Sequence, residues 1–262
     1  MIKEGTLNIP GAQMDYIVFG NGEKPLVMIQ GLNTRGIRGS SRMLAWMYRC
    51  FSKDHTVYLF DRRRDLPESV TVRELAADTA AAMDALQLTG ADVLGVSQGG
   101  MMAQYLAIDR PELVGKLALA VTLSRNNATV QAVIRRWVDL TERGCMAQLV
   151  TDMAECMYSD DYLKKYRALL PLLTLLQKPK DVRRFLTLAK ACLTCSAYDE
   201  LEAIRCPVLV IGGQRDQIVG AEASREIAEK LGCGLYLYER YGHAAYEEAG
   251  DFNRRIQDFF RI

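Results

Sequence analysis

The chain has 262 residues, 49% of them hydrophobic and 25% charged, with a formal net charge of +1, which allows a large core and leaves no basic footprint of the kind that neutralises nucleic-acid phosphates. Nucleic acid is therefore not an expected partner, and neither is a membrane span: Met1 to Pro10 lacks an apolar signal core, and the longest apolar runs, such as Leu117 to Leu123, are far shorter than a bilayer. Seven cysteines in no repeating pattern suit a reducing compartment, which predicts a soluble cytoplasmic protein without structural disulfides and leaves the sequon at Asn127 to Thr129 without a role.

In chain order, Thr6 to Ile9 and Met14 to Phe19 read as the strands of a hairpin turned at Pro10 and Gly11. Leu26 to Ile29 opens a series of apolar runs, continued by Val57 to Phe60, Ala91 to Val96, Leu117 to Leu123 and Val208 to Ile211. They lack polar alternation, Asp92 and Thr122 being isolated exceptions, as expected of strands covered on both faces. Gln30, Gly31 and Leu32 form the loop after the first run, and Arg35, Arg38 and Arg42 beyond it read as solvated, with attraction of an anionic substrate as the alternative. His55, before the Val57 run, reads as a solvated loop residue, and Asp61, after it, as the Arg-paired structural carboxylate of an Arg-rich loop. Thr71 and Glu74 form a capping box for a helix whose one face carries Val72, Leu75, Met83 and Leu86.

The run from Ala91 leads into Gly95, Val96, Ser97, Gln98 and Gly99, with a helix-like stretch from Met101 to Ile108 behind it. A turn this sharp holds the central serine in a strained backbone conformation, and a side chain two positions to either side would collide; Gly95 and Gly99 remove both clashes. The hydroxyl of Ser97 then stands above the sheet's end, facing the first amides of the following helix. The bland alternative is a glycine-rich turn that only packs helix on strand.

From Thr122 to about Ala203 there is no convincing strand, but there are helix-like runs around Val130 to Thr141, Met146 to Met157, Tyr162 to Leu176 and Val182 to Leu193, separated near Gly144 and Pro179. We expect residues 122–203 to be a helical cap inserted into an α/β core of residues 1–121 and 204–262, lying over the carboxyl ends of the strands where ligands bind in open sheets. The apolar stretch Leu169 to Leu176, broken by Pro171, is too apolar for a freely solvated face. Met101, Met102, Met146, Met153 and Met157 read as core filler, with an adaptable acyl pocket as the alternative. Cys192 and Cys195 read as cap packing, and no metal is expected.

After the cap, Val208 to Ile211 runs into Gly212, Gly213, Gln214, Arg215 and Asp216, a carboxylate at a strand's carboxyl end. Leu235 to Tyr238 is followed by Tyr241, Gly242 and His243, and the chain closes with Phe252, Ile256, Phe259 and Phe260 at helical spacing. A serine hydroxyl needs a base to take its proton and a carboxylate to orient that base. Of the two histidines, only His243 emerges at the Ser97 edge of the sheet, and Asp216 is the best-placed acid, ahead of Asp61. The backbone amides of Gln98 and Leu32 are the expected donors to the oxyanion of acyl transfer.

Gly95 to Gly99, the turn from Gly212 to Asp216, and Gly242 with His243 resemble the three catalytic motifs of the α/β-hydrolase superfamily, and most of residues 26–262, the cap apart, is similar to small capped esterases and lactonases of the 3-oxoadipate enol-lactonase type. Family members usually carry His and Gly where this chain has Gln30 and Gly31, and Ser97 stands where dehalogenases and epoxide hydrolases have an aspartate. The expectation is an α/β-hydrolase fold, a mostly parallel, doubly covered sheet with an inserted helical cap. Its expected activity is a serine hydrolase for a carboxylic ester, thioester or lactone, acting through Ser97, His243 and Asp216 without a cofactor on a small-molecule acyl substrate. Acyl transfer or carbon–carbon bond hydrolysis by the same triad, and a small-molecule receptor with vestigial hydrolysis, are the alternatives, and a homo-oligomer is compatible with the sequence.

Overall fold

The computed structural model describes residues 2–166 and 178–262. Eight strands, β1 (Lys3–Ile9), β2 (Ala12–Gly20), β3 (Lys24–Ile29), β4 (His55–Arg63), β5 (Ala91–Val96), β6 (Val114–Ala120), β7 (Val208–Gly213) and β8 (Gly234–Tyr238), form one sheet in the order β1-β2-β4-β3-β5-β6-β7-β8. β2 is antiparallel to both β1 and β4, while β4, β3 and β5 to β8 pair in parallel. The opening hairpin turns at Pro10 and Gly11, where Gly11 has φ +69°, a value glycine adopts without a steric penalty.

The strands lack polar alternation because both faces are covered. Along β3, Leu26 and Met28 pack into one apolar layer and Val27 and Ile29 into the other; along β5, Val93 faces the second layer and Leu94 and Val96 the first. Successive side chains point to opposite faces, so both phases of the alternation must be apolar. One layer is closed by α1 (Ser41–Met47) and the C-terminal helix, through Leu44, Phe252, Ile256 and Phe260. The other is closed by α2 (Val72–Ala85), α3 (Gln98–Asp109) and a helix at Ala221–Leu231, through Leu75, Met83, Leu106 and Ile227. Each such side chain contributes about 1.5–3 kcal/mol by leaving water. The capping box at the start of α2 forms as expected, Glu74 N donating to Thr71 Oγ1 at 3.1 Å and Thr71 N to Glu74 Oε2 at 2.7 Å.

Between β6 and β7 the described residues contain no strand, only an isolated bridge between Arg125 and Ser196, a 3-10 helix (Tyr198–Ala203) and four α-helices: α4 (Ala128–Glu142), α5 (Met146–Met157), α6 (Asp160–Tyr166) and α7 (Val182–Cys192). Three further helices follow, α8 (Ala221–Leu231), α9 (Ala245–Glu248) and α10 (Phe252–Arg261). Residues 167–177, with most of the helix expected from Tyr162 to Leu176 and the apolar stretch from Leu169, lie outside the described residues. No described helix is long and apolar enough to cross a membrane.

The structure corrects two expectations. The strand expected to run to Leu123 ends at Ala120, because the chain turns at Val121, whose φ of +44° no strand accommodates. His55 is not a solvated loop residue: it is the first residue of β4, 2% exposed, and its Nε2 lies 2.9 Å from Oδ2 of the fully buried Asp92. Asp92 interrupts the apolar run of β5 for that reason, with Lys24 Nζ 2.6 Å from its other oxygen.

Candidate active site

The parallel strands deliver four loops to one end of the sheet. At the end of β5 the chain reverses into α3 through Ser97, whose φ of +54° and ψ of −119° put a non-glycine residue in a region that costs on the order of 1–3 kcal/mol. Four hydrogen bonds hold it there. Ser97 N donates to Ala120 O at 2.8 Å, its carbonyl accepts from Thr122 Oγ1 at 2.7 Å, and Gly100 and Met101 donate their amides to the same carbonyl. The flanking glycines are sterically required: a Cβ on Gly95 would lie 2.6 Å from Gly99 O, and one on Gly99 would collide with the carbonyl of Ile29. Thr122, an isolated polar residue in an apolar run, is thus a support of the serine turn that the sequence did not identify.

His243 arrives from the loop after β8, its Nε2 2.9 Å from Ser97 Oγ and its Nδ1 2.8 Å from Asp216 Oδ2. The loop after β7 presents Asp216, and the amides of Ile218 and Val219 donate to its second oxygen at 2.8 and 2.9 Å. His243 is 3% exposed and Asp216 8%, so the line from hydroxyl to imidazole to carboxylate is largely shielded from water. The loop that carries His243 is also tied to α5 and the residues just after it: Ala244 N donates to Met157 O at 2.8 Å, and Ser159 N to Glu248 Oε1 at 3.0 Å. Asp61 lies apart from this line. Its carboxylate accepts from Ile37 N at 3.1 Å and pairs with Arg184 of α7 at 3.0 Å, the structural, Arg-paired role its sequence position suggested.

Gly31 and Leu32 line the same cavity as Ser97 and His243. Gly31 passes so close to the serine that a Cβ there would lie 3.2 Å from Ser97 Cβ. Gln98 begins α3, where the first amides have no acceptor within the helix. Its side chain is fully buried and turned to α7, Nε2 donating to Leu188 O at 2.6 Å and to Cys192 Sγ at 3.1 Å.

Apart from Tyr246, the rest of the cavity wall is apolar. Met101 and Ile218 come from the sheet-bearing segments, and Val130, Ile134, Trp137 and Met153 from α4 and α5. Among the described residues no Asp, Glu, Lys or Arg lines it. Met101, Met153 and Met157, expected as core filler, border the cavity, as does Cys192. Burial pushes the Cys192 thiol up to about 11. Arg35, Arg38 and Arg42 are exposed and border none of it. No group of three or more His, Cys, Asp or Glu able to hold a metal ion occurs among the described residues.

One buried cation stands immediately behind the site. Arg62 is 2% exposed, and burial pushes its guanidinium down to about 10, which leaves it charged at neutral pH. It belongs to a run of arginines that reads in sequence as an Arg-rich loop, so nothing there marks it as an interior residue.

Residues 24–250 match the model of a family described as alpha/beta hydrolase fold. RutD of Caulobacter sp. (strain K31), named as a candidate carbamate hydrolase, is 30% identical over 207 residues, which cover 75% of this chain and 76% of that protein. The 3-oxoadipate enol-lactonase 2 of Acinetobacter baylyi is 22% identical over 96% of this chain and 94% of its own. Among solved structures, the enol-lactonase from Burkholderia xenovorans LB400 superimposes with a TM-score of 0.86 at 20% identity, covering 98% of this chain and 100% of that one.

Proposed function

Because the chain belongs to the α/β-hydrolase fold family, we propose that it is a serine hydrolase that cleaves a carboxylic ester, thioester or lactone of a small to medium, neutral, apolar acyl group. The observation that carries this reading is the 2.9 Å contact between Ser97 Oγ and His243 Nε2, with Asp216 on the far side of the imidazole. The names of two relatives, a candidate carbamate hydrolase and an enol-lactonase, agree in reaction class: a carbonyl carbon bearing an oxygen or nitrogen leaving group.

In this mechanism His243 Nε2 takes the hydroxyl proton as Ser97 Oγ bonds to the acyl carbon, and the carbonyl electron pair moves onto oxygen. Asp216, pinned by the amides of Ile218 and Val219, keeps the Nδ1 proton of the imidazole facing itself, so that Nε2 is free to act as base. The amides of Leu32 and Gln98 hold the oxyanion. Its collapse breaks the bond to the leaving group, which takes the proton back from His243; in a lactone both fragments stay in one molecule. A water then repeats the attack on the acyl-enzyme, with His243 again as base, and releases the acid. No cofactor enters these steps.

Residues 122–203 act as the lid over residues 1–121 and 204–262, and their contribution is selection: α4 and α5 supply the apolar wall, so specificity lies in acyl shape and length. A chain-length panel of chromogenic esters, run on the wild type and on Ser97→Ala with fluorophosphonate labelling alongside, tests the proposal. The expected result is turnover and Ser97 labelling in the wild type, with kcat lower by roughly 10⁴- to 10⁶-fold in Ser97→Ala. A wild type that neither turns over any ester nor accepts the probe at Ser97 overturns it.

A further inference from the structure

The serine-hydrolase reading asks two backbone amides to hold an oxyanion, and both belong to segments gripped by one side chain. Arg62 Nη2 donates to Gln30 O at 2.5 Å, reaches Gly31 O at 3.5 Å and donates to Gln98 Oε1 at 3.2 Å. Its Nε and Nη1 are buried without a hydrogen-bond partner among the described residues, and the carboxylate of neighbouring Asp61 is committed to Ile37 N, Arg184 and the Arg62 amide. Burying a guanidinium so incompletely satisfied is costly. Its one well-satisfied nitrogen is directed at the oxyanion loop and the residue after the nucleophile.

Peptide geometry shows what that grip does. The Gly31 carbonyl and the Leu32 N–H are opposite edges of one planar trans peptide, so a cation that draws the oxygen to its own side turns the N–H to the other. Gly31 abuts Ser97, the side of the loop to which the Leu32 N–H would then turn. At Gln98 the side-chain oxygen is held by Arg62 while its nitrogen is held by Leu188 and Cys192 of α7. The first residue of α3 is thus fixed at both ends of its side chain. The guanidinium charge also polarises the peptides whose oxygens it binds, and hydrogen bonds so chained reinforce one another. Arg62 thus braces the loop of Gln30 and Gly31 from behind.

We infer that Arg62 is a positioning residue for both oxyanion donors, the amides of Leu32 and Gln98, acting through the Gln30 and Gly31 carbonyls and the Gln98 side chain; this rests on the serine-hydrolase reading above. A mere strut between β4 and α7 would affect folding, and through it all binding alike. A positioning residue affects the tetrahedral state selectively.

The test compares wild type, Arg62→Gln and Arg62→Lys with p-nitrophenyl butyrate as substrate, butaneboronic acid as the tetrahedral mimic and butyramide as a ground-state competitor. Thermal melts report the folded fraction. In Arg62→Gln we expect kcat to fall by roughly 10- to 100-fold and butaneboronic acid to bind weaker by a similar factor, with KM and butyramide binding within about threefold of wild type. Arg62→Lys, which keeps the charge, should recover part of both losses. Should Arg62→Gln not fold, the same parallel loss in Arg62→Lys carries the comparison. Unchanged kcat in a folded variant, or equal weakening of boronate and amide, overturns the inference while wild-type Ser97 still takes fluorophosphonate. A wild type that is not labelled and does not turn over overturns the hydrolase reading and this one with it.

Discussion

His55 and Asp92 meet at the amino-terminal end of the parallel strands, Nε2 to Oδ2 at 2.9 Å, the end of the sheet opposite Ser97. Both histidines of the chain are therefore bonded to an aspartate, and only one of those pairs has a hydroxyl on its far side. The His55 pair, with Lys24 against the other oxygen of Asp92, ties β4, β3 and β5 together in a place where no substrate reaches. Removing one member of a buried pair leaves the other uncompensated, a loss of about 3–5 kcal/mol. Asp92→Ala should lose about that much in urea unfolding while the folded fraction keeps wild-type kcat.

The corresponding change at the other end has the opposite signature. Asp216→Asn preserves shape and the contacts from Ile218 and Val219 but gives His243 Nδ1 an amide to face, which favours the wrong tautomer at Nε2. We expect kcat to drop by roughly 10⁴-fold, with stability within about 1 kcal/mol of wild type. Steady-state kinetics paired with thermal melts distinguishes the two aspartates.

Met153 of α5 lines the cavity without entering the hydrogen-bonded line. Met153→Trp should shorten the accepted acyl chain, lowering kcat/KM for butyrate and longer esters about 10- to 100-fold relative to acetate, since each methylene refused is worth about 1–3 kcal/mol. A panel of p-nitrophenyl esters measures the shift, and a uniform loss at every chain length counts against the assigned wall.

Burial holds the Cys192 thiol up at about 11 and that of Cys195 up at about 12. At about pH 8 only on the order of one Cys192 side chain in 10³ is a thiolate, and the thiolate is the species that alkylates. Iodoacetamide should therefore label the partly exposed Cys145 well before either buried thiol, and labelling of Cys192 should rise with alkalinity. Peptide mapping over a pH series checks this. Rapid modification of Cys192 at neutral pH contradicts it.

What the sequence revealed depended on how local each constraint was. The serine turn is written in five consecutive residues because two glycines must flank any side chain forced to φ +54° there. The placement of His243 beside Ser97 was legible by scarcity, it being one of two histidines, and that of Asp216 by its position just past a strand. His55 was misread because its partner lies 37 residues away on another strand, a relation no local pattern records. Arg62 was hidden for the same reason: burial of one arginine in a run of three is decided by Gln30, Gly31 and Gln98 closing around it. The methionines of the cavity wall share their helical spacing with ordinary core positions, and only the placement of α4 and α5 beside Ser97 separates the two.

The bond from Ala244 N to Met157 O makes the end of α5 a neighbour of the residue just after His243. A lineage that redraws its acyl preference by lengthening or shortening the segment around Met157 also disturbs the seat of its own imidazole. Exchanging inward side chains such as Met153 leaves that seat alone. Diversification of such a scaffold should therefore run through swaps at inward positions, with the joint after Met157 kept at constant length.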